Sequence, residues 1–113
     1  MHEMALAESI LQLIEDAAAR DDFQRVKGVW LEVGALSSVE PEALRFCFDV
    51  VTRNSLADGA KLEIIDLPGT GWCLKCSTSV PMTETLGACP RCGSHQLQVT
   101  GGTEMRVKEL EVE

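Results

Sequence analysis

Two short stretches, Cys73-Leu74-Lys75-Cys76 and Cys89-Pro90-Arg91-Cys92, decide how the second half of this chain folds. Each Cys-x-x-Cys turn places two thiols on one side of a tight backbone knuckle, and twelve residues separate the two turns. Two such turns facing each other supply the tetrahedral set that zinc(II) prefers, although iron bound as in a rubredoxin uses the same ligands. The spacing therefore predicts one metal site, with zinc favoured over iron. Because protein thiols fill all four positions, we expect a structural role and not a catalytic one.

Two further residues with reactive side chains, Cys47 and His95, lie outside the four-cysteine set. Cys47 falls between Leu44 and Val51 on an apolar helical stripe, which is typical of a cysteine that packs as a small hydrophobe. His95 follows Cys92 by three residues in polar surroundings, which favours an exposed imidazole. The alternative for His95 is a pH-sensitive neighbour of the metal site.

The first half of the chain alternates between helical and extended patterns. Apolar residues recur at helical spacing from Met4 to Arg20, and the segment from Val26 to Val33 alternates as a strand does. Glu40-Pro41 then opens a second helix, and Lys61 to Leu67 has the alternation of a second strand. The order helix, strand, helix, strand predicts a compact α/β unit.

The second half begins where Pro68-Gly69-Thr70-Gly71 interrupts the apolar periodicity, and we interpret this stretch as a boundary. Beyond the cysteines, Gln96 to Thr100 and Glu104 to Val112 have strand character, and Gly101-Gly102 between them is interpreted as a hairpin turn. The last segment is long enough to pair with the strands of the first half, which would make the cysteine module an insertion.

The predicted fold class is therefore α/β, with two helices on a short sheet and an inserted four-cysteine module. The predicted domains are residues 1–68 together with about 104–113, and the module at 69–103.

The composition and the motifs that are missing argue against several classes of function. The chain has 113 residues and a formal net charge of -8, which opposes binding to nucleic acid or an anionic membrane. No Ser-His-Asp or Cys-His set and no phosphate-cradling glycine loop is recognisable, so we expect no enzyme. No run of eighteen apolar residues and no secretory signal pattern occur, which predicts a cytoplasmic protein.

The sequence starts with Met1-His2-Glu3, which allows two interpretations. The α-amino group, the next amide nitrogen and the His2 imidazole can chelate one ion in fused planar rings, a geometry that favours nickel(II) or copper(II). The Glu3 carboxylate could complete or steer that set. Alternatively, His2 and Glu3 form an ordinary exposed helix start, where an acidic side chain is favoured by the helix dipole.

Taken together, these motifs resemble the HypA/HybF family of nickel metallochaperones, which serve the maturation of nickel-iron hydrogenases. The resemblance covers the whole chain. Its marks are the opening Met1-His2-Glu3, the segment from Val29 to Ser37, the helix stretch Arg45-Phe46-Cys47-Phe48, the two Cys-x-x-Cys pairs and the tail Glu109-Leu110-Glu111-Val112.

The resemblance implies a non-enzymatic carrier that holds nickel(II) as cargo on Met1, His2 and Glu3. It implies structural zinc on the four cysteines Cys73, Cys76, Cys89 and Cys92. Glu40 falls where the family tends to have an acidic or polar residue near the nickel end, although helix capping explains it equally well.

The implied partners are a nickel-binding GTPase of the hydrogenase maturation pathway and the hydrogenase large-subunit precursor, and homodimerisation stays open. The alternative function from the residues is a zinc-ribbon interaction module without a nickel role; a small iron electron-transfer protein is a third.

Overall fold

The computed structural model describes residues 2–113 and contains two helices and six strands within that range. In chain order they are α1 (Glu3–Asp21), β1 (Val26–Gly34), α2 (Pro41–Val51), β2 (Lys61–Leu67), β3 (Gly69–Cys73), β4 (Thr78–Met82), β5 (Leu97–Gly101) and β6 (Met105–Val112). The strands form two three-stranded sheets, ordered β2-β1-β6 and β4-β3-β5. The predicted α/β class, with two helices and small sheets, is confirmed.

The chain divides into two compact units. Unit 1 comprises Met1–Leu31, Val39–Ile64 and Val107–Glu113, and unit 2 comprises Glu32–Ser38 and Ile65–Arg106. Both helices belong to unit 1, and all four cysteines of the Cys-x-x-Cys pairs belong to unit 2. No helix in residues 2–113 combines the length and apolar character needed to cross a membrane.

Helix α1 forms because its apolar residues recur every three or four positions and can be buried along one face. Ala7, Ile10, Ile14 and Ala17 are all buried. The helix ends where Asp22 adopts a left-handed conformation at φ 56° and donates its N–H to the carbonyl of Ala18. This matches the predicted helix from Met4 to Arg20 within one residue at each end.

Helix α2 starts and packs as its sequence predicts. Pro41 occupies the first turn, and the Glu40 carboxylate accepts a hydrogen bond from the N–H of Glu42 at 3.4 Å. Leu44 and Phe48 are fully buried, and the helix packs against α1. Cys47 on the same stripe is only half-buried, as a free thiol.

The predicted hairpin at Gly101-Gly102 is wrong, because β5 and β6 belong to different sheets. β6 pairs beside β1, as the length of the last segment suggested. Gly102 has φ 94°, and its carbonyl accepts the N–H of Leu36 at 2.7 Å. A Cβ there would lie 2.5 Å from the Cα of Gly69, so glycine permits a close approach of backbones and not a tight turn.

The stretch interpreted as a boundary also contains the start of a strand. β3 begins at Gly69, directly after β2 ends at Leu67, and pairs antiparallel with both β4 and β5. Its glycines conceal the strand pattern, but they allow close packing. A Cβ on Gly71 would collide with the thioether of Met82. Strand β4 was not predicted either, although its buried Val80 and Met82 alternate with exposed Ser79 and Pro81.

Candidate metal centres

The four cysteines of the two Cys-x-x-Cys pairs converge on one point in unit 2. The sulfur atoms of Cys73, Cys76, Cys89 and Cys92 all lie within 4.8 Å of one another. Two of these separations are 3.7 Å, between Cys73 and Cys92, and 4.0 Å, between Cys76 and Cys89. The spacing is too long for a disulfide, and the thiols are free.

These distances fit a tetrahedral metal. Four sulfurs at about 2.3 Å from a central zinc ion would be about 3.8 Å apart along each edge of the tetrahedron. The two measured separations bracket that value. Among the described residues 2–113, this is the only group of three or more His, Cys, Asp or Glu side chains close enough to hold an ion. The donor set and its dimensions therefore suit one tetrathiolate-bound metal.

Each knuckle is held by two kinds of backbone contact, one to the sulfur and one to the carbonyl of its first cysteine. The N–H of Cys76 donates to the sulfur of Cys73 at 3.3 Å, and the N–H of Arg91 donates to the sulfur of Cys89 at 3.4 Å. The residue after each second cysteine, Ser77 or Gly93, has a positive φ and donates to the carbonyl of the first cysteine at 2.8 Å.

Only one of these two residues is recognisable in the sequence as part of a metal-binding knuckle. Gly93 carried a recognisable signal, because glycine readily takes a positive φ. Ser77 carried none, since serine rarely adopts its φ of 53°.

The crowded thiols differ in acidity. Burial opposes ionisation of Cys89, but the N–H donors of Arg91 and Cys92 and hydrogen bonds from neighbouring thiols lower its pKa to about 7. The hydrogen bond with Cys92, followed by desolvation, raises the pKa of Cys76 to about 12. Without an ion, Cys89 therefore loses its proton at a lower pH than Cys76 does.

The four cysteines of the cluster differ in how far they are buried. Cys73 and Cys89 are buried with Val80 in a small core, against which Cys76 and Leu97 pack. Cys92 is exposed. His95 is exposed as predicted and is not one of the four clustered side chains.

The second candidate centre lies at the start of α1. Met1 is outside the described residues. His2 is exposed and precedes the helix, where its carbonyl accepts the N–H of Leu6 at 3.1 Å and its side chain makes no capping hydrogen bond. Glu3 is the first residue of α1, and its carboxylate accepts the backbone N–H of Glu40 at 3.4 Å.

The contact between Glu3 and Glu40 joins residues 37 positions apart and brings the start of α2 to the start of α1. The Glu40 side chain caps its own helix, as the capping interpretation expected. The structure therefore places both Glu3 and the Glu40 backbone at the end of the molecule where His2 is exposed.

Comparison with known proteins agrees with these features. The sequence model of a family described as "HypA: Hydrogenase/urease nickel incorporation, metallochaperone, hypA" matches residues 1–112. A hydrogenase maturation factor HypA from Albidiferax ferrireducens is 69% identical over 113 residues, and one from Dechloromonas aromatica is 66% identical over the same length. Both alignments cover all of this chain and all of the relative.

Solved structures agree as well. The solution structure of the nickel metallochaperone HypA from Helicobacter pylori superimposes with a TM-score of 0.70 at 26% identity, covering 99% of this chain and 97% of that one. A second solution structure, of a HypA protein, gives a TM-score of 0.71 at 28% identity, covering 100% and 97%. The match is to metallochaperones and not to enzymes, which confirms the non-enzymatic prediction. The chain therefore belongs to the HypA family of hydrogenase maturation nickel metallochaperones.

Proposed function

We propose that this chain binds nickel(II) at its N-terminal end and delivers it, with a nickel-binding GTPase of the hydrogenase maturation pathway, to the nickel-iron hydrogenase large-subunit precursor. The observation that carries the proposal is the end of α1. An exposed His2 lies there next to Glu3, whose carboxylate accepts the backbone N–H of Glu40. The family match supports nickel as the metal and hydrogenase maturation as the pathway.

The proposed nickel ligands are the amine of Met1, the imidazole of His2 and backbone nitrogens at residues 2 and 3, with the Glu3 carboxylate nearby. Amide and imidazole nitrogens in fused rings favour a planar ion such as nickel(II) over tetrahedral zinc(II). Helix α1 donates none of its first N–H groups to the His2 side chain, so that imidazole is available to a metal.

Delivery requires that the cargo leave when the acceptor arrives. The hydrogen bond from the Glu40 N–H to Glu3 is exposed and 3.4 Å long, so a partner that docks on this end can displace it at little cost. Losing that contact removes one partner of the Glu3 carboxylate, and protonation of the ligating nitrogens weakens the site further. Nickel release is thereby linked to docking.

The proposed resident metal is structural zinc on Cys73, Cys76, Cys89 and Cys92. The separations of about 4 Å between sulfurs support it, because they suit a tetrahedral ion with no open position. Zinc bound there would join β3 to the segment before β5 and so maintain the small core of unit 2. We assign the protein to the cytoplasm, where a reducing environment preserves five free thiols.

The proposal is tested by metal analysis of untagged protein with its native N-terminus. One zinc per chain as purified, and one nickel on titration, is the expected content. His2→Ala should lose the nickel and keep the zinc, whereas the matched control His95→Ala should keep both, since His95 is exposed and is neither a proposed nickel ligand nor one of the four clustered side chains. Nickel binding that survives His2→Ala would contradict the proposed N-terminal site. A wild type that binds zinc but no nickel would favour a zinc-ribbon interaction module.

The delivery step has a separate test. Nickel affinity is measured with and without the GTPase, for the wild type and for Glu3→Gln. Docking should weaken nickel binding in the wild type and change it less in the variant, where the weaker amide acceptor already loosens the contact with Glu40. An affinity that the GTPase leaves unchanged would exclude release by docking.

A further inference from the structure

Solvent reaches the cysteine cluster of unit 2 most readily at one residue. Cys92 is exposed, whereas Cys76 is half-buried and Cys73 and Cys89 are buried. The residue after Cys92 is Gly93, and a Cβ placed on that glycine would meet nothing beyond its chain neighbours within 4 Å. The space beside Cys92 is therefore open. A small solute that diffuses toward the cluster reaches Cys92 before the other three cysteines.

Two short separations between sulfur atoms each join one knuckle to the other. The sulfur of Cys92 lies 3.7 Å from that of Cys73, and the sulfur of Cys76 lies 4.0 Å from that of Cys89. The sulfurs of a disulfide are about 2.0 Å apart, so each pair would have to close by about 2 Å to form one. Rotation of the two cysteine side chains, with each sulfur moving about 1 Å, supplies that change.

A metal ion in the cluster makes its sulfurs reactive. The thiolate, and not the thiol, is the nucleophile that attacks an oxidant, and a metal ion removes the protons of the thiols that bind it. This step rests on the structural zinc proposed above, which would keep Cys92 as a thiolate. The fifth cysteine offers a comparison, because Cys47 is half-buried on α2 of unit 1 and is not among the clustered side chains. No metal activates that thiol.

We propose that Cys92 is an oxidation site, at which hydrogen peroxide converts the metal cluster into a disulfide between Cys73 and Cys92. The Cys92 sulfur attacks one peroxide oxygen, the O–O bond breaks, and the departing hydroxide takes a proton from solvent to become water. Cys92 is then a sulfenic acid. The Cys73 sulfur attacks the Cys92 sulfur, an S–S bond forms, the S–O bond breaks, and the second hydroxide leaves and is protonated to water. The two thiolates lose two electrons, and the peroxide gains them.

Formation of this disulfide removes two of the four ligands, so the zinc is released. Cys76 and Cys89 are then free to form a second disulfide with a second molecule of peroxide, by the same steps. The two disulfides would link the same segments that zinc joins, the end of β3 and the segment before β5. Unit 2 should therefore stay folded in the oxidised form. A dithiol that reduces both disulfides returns the four thiols, to which zinc binds again.

Peroxide treatment of the zinc-loaded full-length protein, followed by disulfide mapping, tests the proposal. Free thiols are first blocked by alkylation. Trypsin cleaves after lysine and arginine, and it divides the four cysteines among three peptides, residues 62–75 with Cys73, 76–91 with Cys76 and Cys89, and 92–106 with Cys92. The proposed disulfide joins peptide 62–75 to peptide 92–106, whereas a disulfide within either knuckle joins peptide 76–91 to one of its neighbours.

The expected result has three parts. Zinc, followed with a chromophoric chelator, should be released as the linked peptides 62–75 and 92–106 appear. A cyclic 1,3-diketone, which traps sulfenic acids, should label peptide 92–106 first. Cys47 should stay reduced, and the matched control Cys47→Ser should release zinc at the wild-type rate. Dithiothreitol and added zinc should then restore the zinc content, and far-ultraviolet ellipticity should be retained throughout.

Several outcomes would overturn the proposal. These are zinc retained in excess peroxide, a first diketone label on another peptide, and disulfides that join peptide 76–91 to a neighbour. Slower zinc release from Cys47→Ser would also overturn it, because Cys47 would then be the site of attack. A protein that binds no zinc would overturn the proposed metal and this inference with it, whereas zinc that is bound and then retained in peroxide overturns only the oxidation site.

Discussion

Replacing Gly102 by alanine should destabilise unit 2 through two separate effects. The residue has φ 94°, a conformation that L-residues rarely adopt, and an added Cβ would lie 2.5 Å from the Cα of Gly69 and 2.8 Å from the carbonyl oxygen of Pro68. Both neighbours are backbone atoms, so neither can swing aside as a flexible side chain would. The unit must then shift its backbone or tolerate the overlap.

The two effects can be separated with matched glycine variants of the same unit. Gly93 also has a positive φ, 77°, but a Cβ there would meet nothing within 4 Å. Gly34 lacks the positive φ, but its Cβ would overlap the carbonyl of Gly102. Backbone strain costs about 1–3 kcal/mol, and overpacking costs about 1–3 kcal/mol. We expect about 1–3 kcal/mol for Gly93→Ala or Gly34→Ala and about 2–6 kcal/mol for Gly102→Ala.

Urea unfolding of the zinc-loaded proteins measures these differences. Ellipticity reports secondary structure, and a chromophoric chelator reports the transition that releases zinc, so that the unfolding of unit 2 is followed specifically. The midpoint should fall further for Gly102→Ala than for Gly93→Ala, with an unchanged slope. If Gly102→Ala were no less stable than Gly93→Ala, the close approach of Gly102 to Gly69 would be absent and the reasoning wrong.

Three further results are expected. Cys89→Ser should lose zinc and, with it, the near-ultraviolet circular dichroism signal of Trp72. Helices α1 and α2 should keep most of their far-ultraviolet ellipticity. Loss of the helices as well would show that unit 1 depends on the metal. Phe48→Ala should lower the free energy of unfolding by about 3–5 kcal/mol, because that ring is fully buried. Phe46 is 67% exposed, so Phe46→Ala should change it by no more than about 0.5 kcal/mol. Equal losses in denaturant titrations would contradict the assigned helix face. Arg106→Gln should lower the thermal midpoint, because Glu32, whose side chain is only 14% exposed, loses the guanidinium that donates to it at 2.7 Å. Arg106 is 64% exposed, so salt partly screens the pair and the loss should be smaller at 1 M salt; the raised pKa of Arg106 reflects the same hydrogen bond. An unchanged midpoint at low salt would argue otherwise.

The elements of unit 1 could be predicted because their signals are local. Ile10 and Ile14 repeat at helical spacing, Pro41 marks a helix start, and Val29 and Leu31 alternate in a strand, so each element is encoded within a few neighbouring residues. The structure confirms these elements. Unit 2 was harder to predict, since β3 contains two glycines in five residues and has almost no apolar periodicity of its own.

In the candidate metal centres, too, the part encoded by local spacing could be predicted, whereas the part that depends on packing could not. The Cys-x-x-Cys spacing predicted a cluster, and the structure brings all four sulfurs within 4.8 Å. The contact of Glu3 with the Glu40 N–H could not be derived from spacing, because it depends on how α1 and α2 pack. Family resemblance indicated only that an acidic or polar residue belongs near that end.

By itself, the sequence determined the two helices, the strand that precedes α2 and the ligand set of the cysteine cluster, because periodicity and ligand spacing act over short distances. Only the tertiary structure decided the path of the chain near Gly102. Two strands separated by Gly101-Gly102 can form a hairpin or enter different sheets, and the local residues permit both. The choice depends on backbone contacts with Gly69 and Leu36, more than thirty residues away, which no local pattern encodes.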